Sequence, residues 1–283
     1  MPLYSKARER GMKACNRAVI VSVGQFDPGV GLSGRVGGVR NDTRRLHRVL
    51  TTLGFKVEFH NDQSADEIYE LFEEESKKPV ENCFLGIIST HGEEGVVFGA
   101  DGNPVKLAKI FGFFNSPCMT DKTKLFLIQA CRGHDLDDGV EVDSALSDEE
   151  DFMSGYLSIP ADMAVMYATA PGYGAFMHPL GSVFLQKLCD LLVEDGGRDL
   201  EINQLMTRLR YQVAYRFHAN APGLTGKKEM PCFVTRLTRE VYPFRASQVT
   251  GNVGQGVGGE VNAKRSATAL VEESQRIRKR SIS

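Results

Sequence analysis

Two apolar stretches of the chain end in residues able to do chemistry. Leu125-Phe126-Leu127-Ile128 runs into Gln129-Ala130-Cys131-Arg132-Gly133, and Ile87-Ile88-Ser89-Thr90 runs into His91-Gly92-Glu93-Glu94-Gly95. A buried strand usually stops at Gly, Asn or Pro; these two stop at a thiol and an imidazole. A thiolate attacks a carbonyl carbon, and a nearby imidazole manages the protons and protonates the leaving amine. Glycine at 92 leaves its backbone N–H free to approach a substrate oxygen, and with the N–H of Cys131 it forms a candidate oxyanion hole. Alone, a cysteine after a strand is ordinarily core, and a lone histidine is a satisfied polar side chain. The functional reading rests on the two strand ends taken together.

The elements that must position them alternate along the chain. Strand-length apolar runs are Ala18–Val23, Phe55–Phe59, Cys83–Ser89, Lys124–Ala130, Ala164–Ala168 and Cys232–Leu237. Between them lie helical patterns. Thr43–Leu53 carries Leu46, Val49, Leu50 and Leu53 at 3/4 spacing, and Ser64–Ser76 opens with Ser64 three residues before Glu67, a capping box. Lys106–Phe114, Val183–Glu194 and Leu200–Phe217 read as further helices. This alternation predicts an α/β fold, a mostly parallel sheet with helices on both faces. In such a sheet reactive groups collect at the carboxyl ends of strands. If the two strands are neighbours, His91 and Cys131 meet there.

Composition excludes several classes. Across 283 residues the formal net charge is −2, which argues against a general nucleic-acid binder. No apolar run is long enough to span a membrane, and the charged N-terminal stretch lacks the apolar core of an export signal. The six cysteines (15, 83, 118, 131, 189 and 232) include no CxxC and read as reduced thiols of a cytoplasmic protein. Gly29–Gly34 fits G-x-G-x-x-G after a strand. However, four residues from Gln25 to Pro28 intervene, and Gly37-Gly38 are expected to delay the helix until about Asp42, so nucleotide binding is not inferred. Asp135–Asp151 holds nine acidic residues and no Lys or Arg, and reads as an exposed linker. Residues 245–283, rich in Gly, Val and Ser and without an aromatic, read as a disordered tail.

The chain resembles the caspase family, and within it the executioner type. The resemblance is carried by Gln129–Gly133 (QACRG), Ser89–Gly95 (STHGEEG), Tyr167–Tyr173 (YATAPGY) and Met230–Val234 (MPCFV), in order over about Arg17–Phe244. It implies a six-stranded, mostly parallel sheet with helices on both faces, and hydrolysis of protein substrates after aspartate. His91 and Cys131 match the catalytic dyad and Gly92 the oxyanion-hole position. No metal or organic cofactor is implied. The resemblance divides the chain into an N-terminal peptide (1–16), a large-subunit region (17–143), an intersubunit linker (144–155), a small-subunit region (156–244) and the tail (245–283). It also implies a dimer of processed protomers. An upstream activating caspase would cut after Asp143, which ends Val140-Glu141-Val142-Asp143. The first aspartate of the chain is Asp27, so the N-terminal peptide is not expected to be trimmed after an aspartate.

One part of the pattern fails. The family holds the substrate aspartate with two arginines and a glutamine. Arg35 and Gln129 match two of these. The third belongs after Tyr173, where the family reads approximately Tyr-Ser-Trp-Arg and this chain reads Gly174-Ala175-Phe176-Met177. Met177 stands at the arginine position, with His178 beside it as a poor substitute when neutral. Loss of one member of a buried charge pair costs about 2–5 kcal/mol. Two functions stay open: an endopeptidase with altered or weakened specificity, or a caspase-like regulator with weak turnover.

Overall fold

The computed structural model describes residues 15–133, 135–136, 159–193, 196–217, 219 and 225–245. In chain order the elements are β1 (Arg17–Ser22), α1 (Val36–Thr52), β2 (Lys56–Asn61), α2 (Ala65–Ser76), β3 (Cys83–Ser89), β4 (Gly92–Glu93), β5 (Val96–Phe98), β6 (Pro104–Lys106), α3 (Leu107–Phe113), β7 (Thr123–Gln129), β8 (Met163–Tyr167), β9 (Met177–His178), β10 (Gly181–Ser182), α4 (Val183–Val193), α5 (Ile202–Arg216) and β11 (Cys232–Thr235). Six strands form one sheet in the order β11-β8-β7-β3-β1-β2. All pairs are parallel except β11 on β8.

The period-2 alternation of strand side chains sorts the core into two layers. Ala18, Ile20, Leu85, Ile87, Leu125 and Leu127 face α1, α4 and α5. Val19, Val21, Phe84, Ile88, Phe126 and Ile128 face α2 and α3. The second layer is aromatic: Phe72, Phe84, Phe111, Phe114 and Phe126 hold ring centroids 4.5–6.3 Å apart. Strands β3 and β7 are covered on both faces, which is why they read as continuous apolar runs rather than alternating ones. The capping box forms as expected, with Ser64 and Glu67 bonded reciprocally.

One expectation needs correction. Helix α1 begins at Val36, not near Asp42, and takes Gly37 and Gly38 into its first turn. Two helical glycines cost about 1 kcal/mol each against alanine, but tertiary packing overrides that preference. A Cβ on Gly38 would lie 2.4 Å from the His178 carbonyl oxygen and 2.5 Å from the Met177 sulfur. The bare helix backbone is what admits β9. Asn41 then donates to the Pro179 carbonyl at 3.0 Å, and Ser182 N–H donates to the buried Asp42 at 2.9 Å. The start of the acidic stretch is exposed at Asp135 and Leu136, as expected, and it is also tethered. Asp135 is not loose: its N–H donates to Gly172 O at 3.0 Å and its carbonyl accepts from Gly174 N–H at 2.9 Å. Residues 137–158, with Asp143, and the tail beyond Arg245 lie outside the described residues.

Candidate active site

Ser89 of β3 stands opposite Gln129 of β7 in parallel register, and Thr90 N–H donates to Gln129 O at 3.2 Å. His91 and Cys131 lie the same two residues beyond that pair, so equal offsets in a shared register carry imidazole and thiol to one edge of the sheet. Both line a cavity of about 590 Å³, together with Arg35, Gly174, Ala175, Phe176 and Met177. The sites expected from sequence therefore converge, with three qualifications. Gln129 is 1% exposed and lies beneath the floor, outside the cavity lining. Gly92 is buried behind the floor, where a Cβ would come within 2.9 Å of Ala130 Cβ and 3.0 Å of Cys131 O. Asp143 lies outside the described residues.

The thiol is held from below by its neighbour. Arg132 is 3% exposed, donates to Glu94 Oε1 at 2.7 Å and to Thr169 O at 3.4 Å, and lies 4.1 Å over the Tyr167 ring. Its backbone N–H donates to Tyr173 O at 2.9 Å and its carbonyl accepts from Gly172 N–H at 2.9 Å. This answers why the strand ends Gln-Ala-Cys-Arg: the arginine is an anchor that fixes the residue before it. The Cys131 sulfur accepts from Ala175 N–H at 3.4 Å.

The imidazole is oriented from above. His91 Nε2 donates to Ser33 O at 2.9 Å, and the ring packs on Phe26 at 5.3 Å between centroids. A carbonyl can only accept, so the neutral ring carries its proton on Nε2 and leaves Nδ1 bare. Burial holds the pKa below the ordinary imidazole value, opposed by the Ser33 bond and reinforced by Arg35. His91 and Cys131 share the cavity without a hydrogen bond between them. A thiol, an imidazole and a carbonyl that orients the imidazole line one cavity, the residue types that nucleophilic catalysis uses.

The opposite wall carries unmet polar groups. Among the described residues, Arg35 Nε and Nη2 are buried without a hydrogen-bond partner, as are both amide atoms of Gln129. Burial pushes Arg35 down to about 10, with Cys131 and Asp42 acting in the other direction, so the guanidinium stays charged at neutral pH. Met177 is half-buried against Gly38 and adds no charge. His178 is exposed, and its Nδ1 accepts from Leu180 N–H at 3.1 Å. Behind the wall, Phe176 N–H donates to Glu229 Oε2 at 2.7 Å.

Sequence reasoning did not single out Ser33, Glu94 or Glu229. Ser33 acts through a backbone carbonyl, which carries no residue signature. Glu94 had a signal, as an acid two residues after Gly92 beside a strand ending in arginine. Glu229 lies just before β11 and touches the site only through the fold.

A model of the caspase domain matches residues 15–242. The chain belongs to the caspase family and is a cysteine-type endopeptidase. It is 35% identical to caspase-7 of Gallus gallus over 242 residues, covering 81% of this chain and 77% of that protein. It is 36% identical to caspase-3 of Mesocricetus auratus over 232 residues, covering 79% and 82%. Among solved structures, caspase-1 from Spodoptera frugiperda matches with a TM-score of 0.71 at 29% identity, over 87% of this chain and 98% of that one.

Proposed function

We propose that the cleft hydrolyses peptide bonds after aspartate, with Cys131 as nucleophile and His91 as acid and base. The observation that carries the specificity is the Arg35 guanidinium, which lines the cavity with Cys131 and has Nε and Nη2 unpartnered among the described residues. Buried polar atoms in native proteins almost always have partners, and a carboxylate supplies the acceptors that the guanidinium lacks. In the reaction, Nδ1 of neutral His91 takes the thiol proton as sulfur attacks the carbonyl carbon. The N–H groups of Gly92 and Cys131 receive the oxyanion. His91 then gives the proton to the leaving amine, and water hydrolyses the thioester.

The same reading extends to maturation and assembly. An upstream caspase cuts after Asp143, dividing a large-subunit from a small-subunit region. Strand β11 is the outer strand of its sheet edge, with Phe233 and Val234 half-buried, and a second protomer covers it. Protein substrates, a cytoplasmic setting and a role in apoptosis follow the resemblance to caspase-7 and caspase-3.

Met177 favours a second reading, a regulator that binds an active relative and turns over poorly, because among the described residues one guanidinium lines the cavity where two are expected. Labelling Cys131 with an aspartyl electrophile and with a general thiol reagent separates the two. Comparable labelling by both, with cleavage of a positional peptide library after aspartate, supports the enzyme. Labelling by the thiol reagent alone, with no cleavage, establishes the regulator. Recovery of the first new N-terminus elsewhere than Ser144 would overturn the processing site.

A further inference from the structure

The wall of the cleft rests on a carboxyl group that the chemistry above does not use. Glu229 is fully buried, its Oε2 accepts from Phe176 N–H at 2.7 Å, and among the described residues its Oε1 has no partner. Phe176 lines the cleft between Ala175, whose N–H meets the Cys131 sulfur, and Met177. Its ring packs on Phe217, just past α5, at 5.3 Å between centroids, so side chain and backbone are both gripped from behind.

An ionised carboxylate in that position would have one donor for its several acceptor sites, and burial without further partners disfavours charge. Among the described residues, the Phe176 amide is the donor recorded on this carboxyl group. Burial raises the Glu229 carboxyl to about 8 from an ordinary 4.5, opposed only by the Phe176 bond. Lys228, next in the chain, directs its ammonium to Ala214 O at 3.5 Å. Arg216, at the end of α5, lies over the Tyr211 ring. On the other side of the wall the titratable groups lining the cavity are Arg35, His91, Cys131 and His178.

We propose that Glu229 is a positioning residue which, as a neutral carboxylic acid, holds the Phe176 amide and so fixes the substrate-binding wall. When it ionises, the carboxylate needs water, the segment behind the wall must open to admit it, and the wall loses its fixed position. The consequence is a pH-dependent KM that originates behind the cleft. The inference rests on the reading of the cleft as a peptidase site.

The test uses the full chain, processed in the same way, as wild type, Glu229→Gln and Glu229→Ala. Glutamine keeps an oxygen for Phe176 N–H and cannot ionise. For wild type, KM for an aspartyl peptide should rise between pH 7 and 9, with kcat changing less. Glu229→Gln should hold KM flat over that range, and Glu229→Ala should raise it about tenfold at every pH. The same rise of KM in Glu229→Gln as in wild type, or wild-type KM in Glu229→Ala, overturns the proposal.

A readout independent of catalysis accompanies this. A carboxyl raised in the folded state contributes stability below its unfolded pKa, and that stability is lost as pH rises through the folded pKa. The unfolding midpoint of wild type should therefore fall relative to Glu229→Gln between about pH 4.5 and about 8, the ordinary and folded values. Parallel curves would show that Glu229 is not held neutral. If no variant cleaves any peptide while the midpoints still diverge, the peptidase reading fails and the buried neutral carboxyl stands.

Discussion

Two arginines flank the thiol, and the fold treats them in opposite ways. Arg132 donates through Nη1 and Nη2 to a carbonyl and a carboxylate and lies over an aromatic face, all supplied by the protein. Arg35 is half-buried, with Nε and Nη2 buried and unbonded among the described residues, and burial lowers its pKa. The first arrangement builds the molecule. On the proposed function, the second holds a cation poised for a substrate carboxylate, because desolvating a guanidinium without a partner is unfavourable until a carboxylate completes it. A satisfied polar side chain reads as structure and an unsatisfied one beside a nucleophile reads as function, although both belong to the same residue type.

The comparison can be broken in order of expected effect. Cys131→Ala should lower peptide hydrolysis by about 10⁴-fold or more with circular dichroism unchanged, since the thiol supports no packing. Comparable residual activity would remove the nucleophile assignment on which both arginine roles depend. Arg35→Ala comes next: kcat/KM on aspartyl peptides should fall by very roughly 30- to several-thousand-fold, which is about 2–5 kcal/mol. Its unfolding midpoint should hold or rise, because an unpaired buried cation is removed. Arg132→Ala should do the reverse, losing about 1.5–3 kcal/mol of stability in urea denaturation. If Arg35→Ala destabilised the protein as much as Arg132→Ala, the contrast would be wrong. The smallest effect is the most specific. Met177→Arg should raise kcat/KM on aspartyl peptides about tenfold, or about 1.4 kcal/mol, and leave uncharged peptides unchanged. A neutral result, with wild type already cleaving efficiently after aspartate, would mean that another cation completes the pocket.

The difference between the two arginines also explains what the sequence could show. Strands β3 and β7 were legible because burial on both faces leaves uninterrupted apolar runs, and the capping box of α2 is a local three-residue device. The shared site followed from two strand ends, since chemistry-bearing types there are rare. The start of α1 was not legible. Gly37 and Gly38 argue locally against a helix, and only the approach of β9, about 140 residues later in the chain, reverses that argument. The short strands β4 to β6 and the β9–β10 hairpin have two or three residues each, too few to show a period. Glu229 was invisible for the same reason as Ser33: its contact is with a backbone amide, and any sequence has one.

The seam between the residues before and after segment 137–158 runs through the middle of the sheet, where β7 pairs with β8 over five consecutive residues. It is reinforced at the sheet's flank, where Arg45 donates to Asp190 at 2.6 Å and to Gln186 Oε1 at 2.6 Å, and Asp42 accepts from Ser182 and Gln186. The two halves are therefore bound to each other by the main-chain ladder itself and by an array of partly buried polar contacts. A break within 137–158 leaves both pieces clasped, as a tightly bound pair of fragments rather than two independent folds. Each piece alone would expose an open strand edge in the centre of the molecule, an aggregation template. Fragments produced separately should accordingly be poorly soluble alone and recover the sheet only when refolded together.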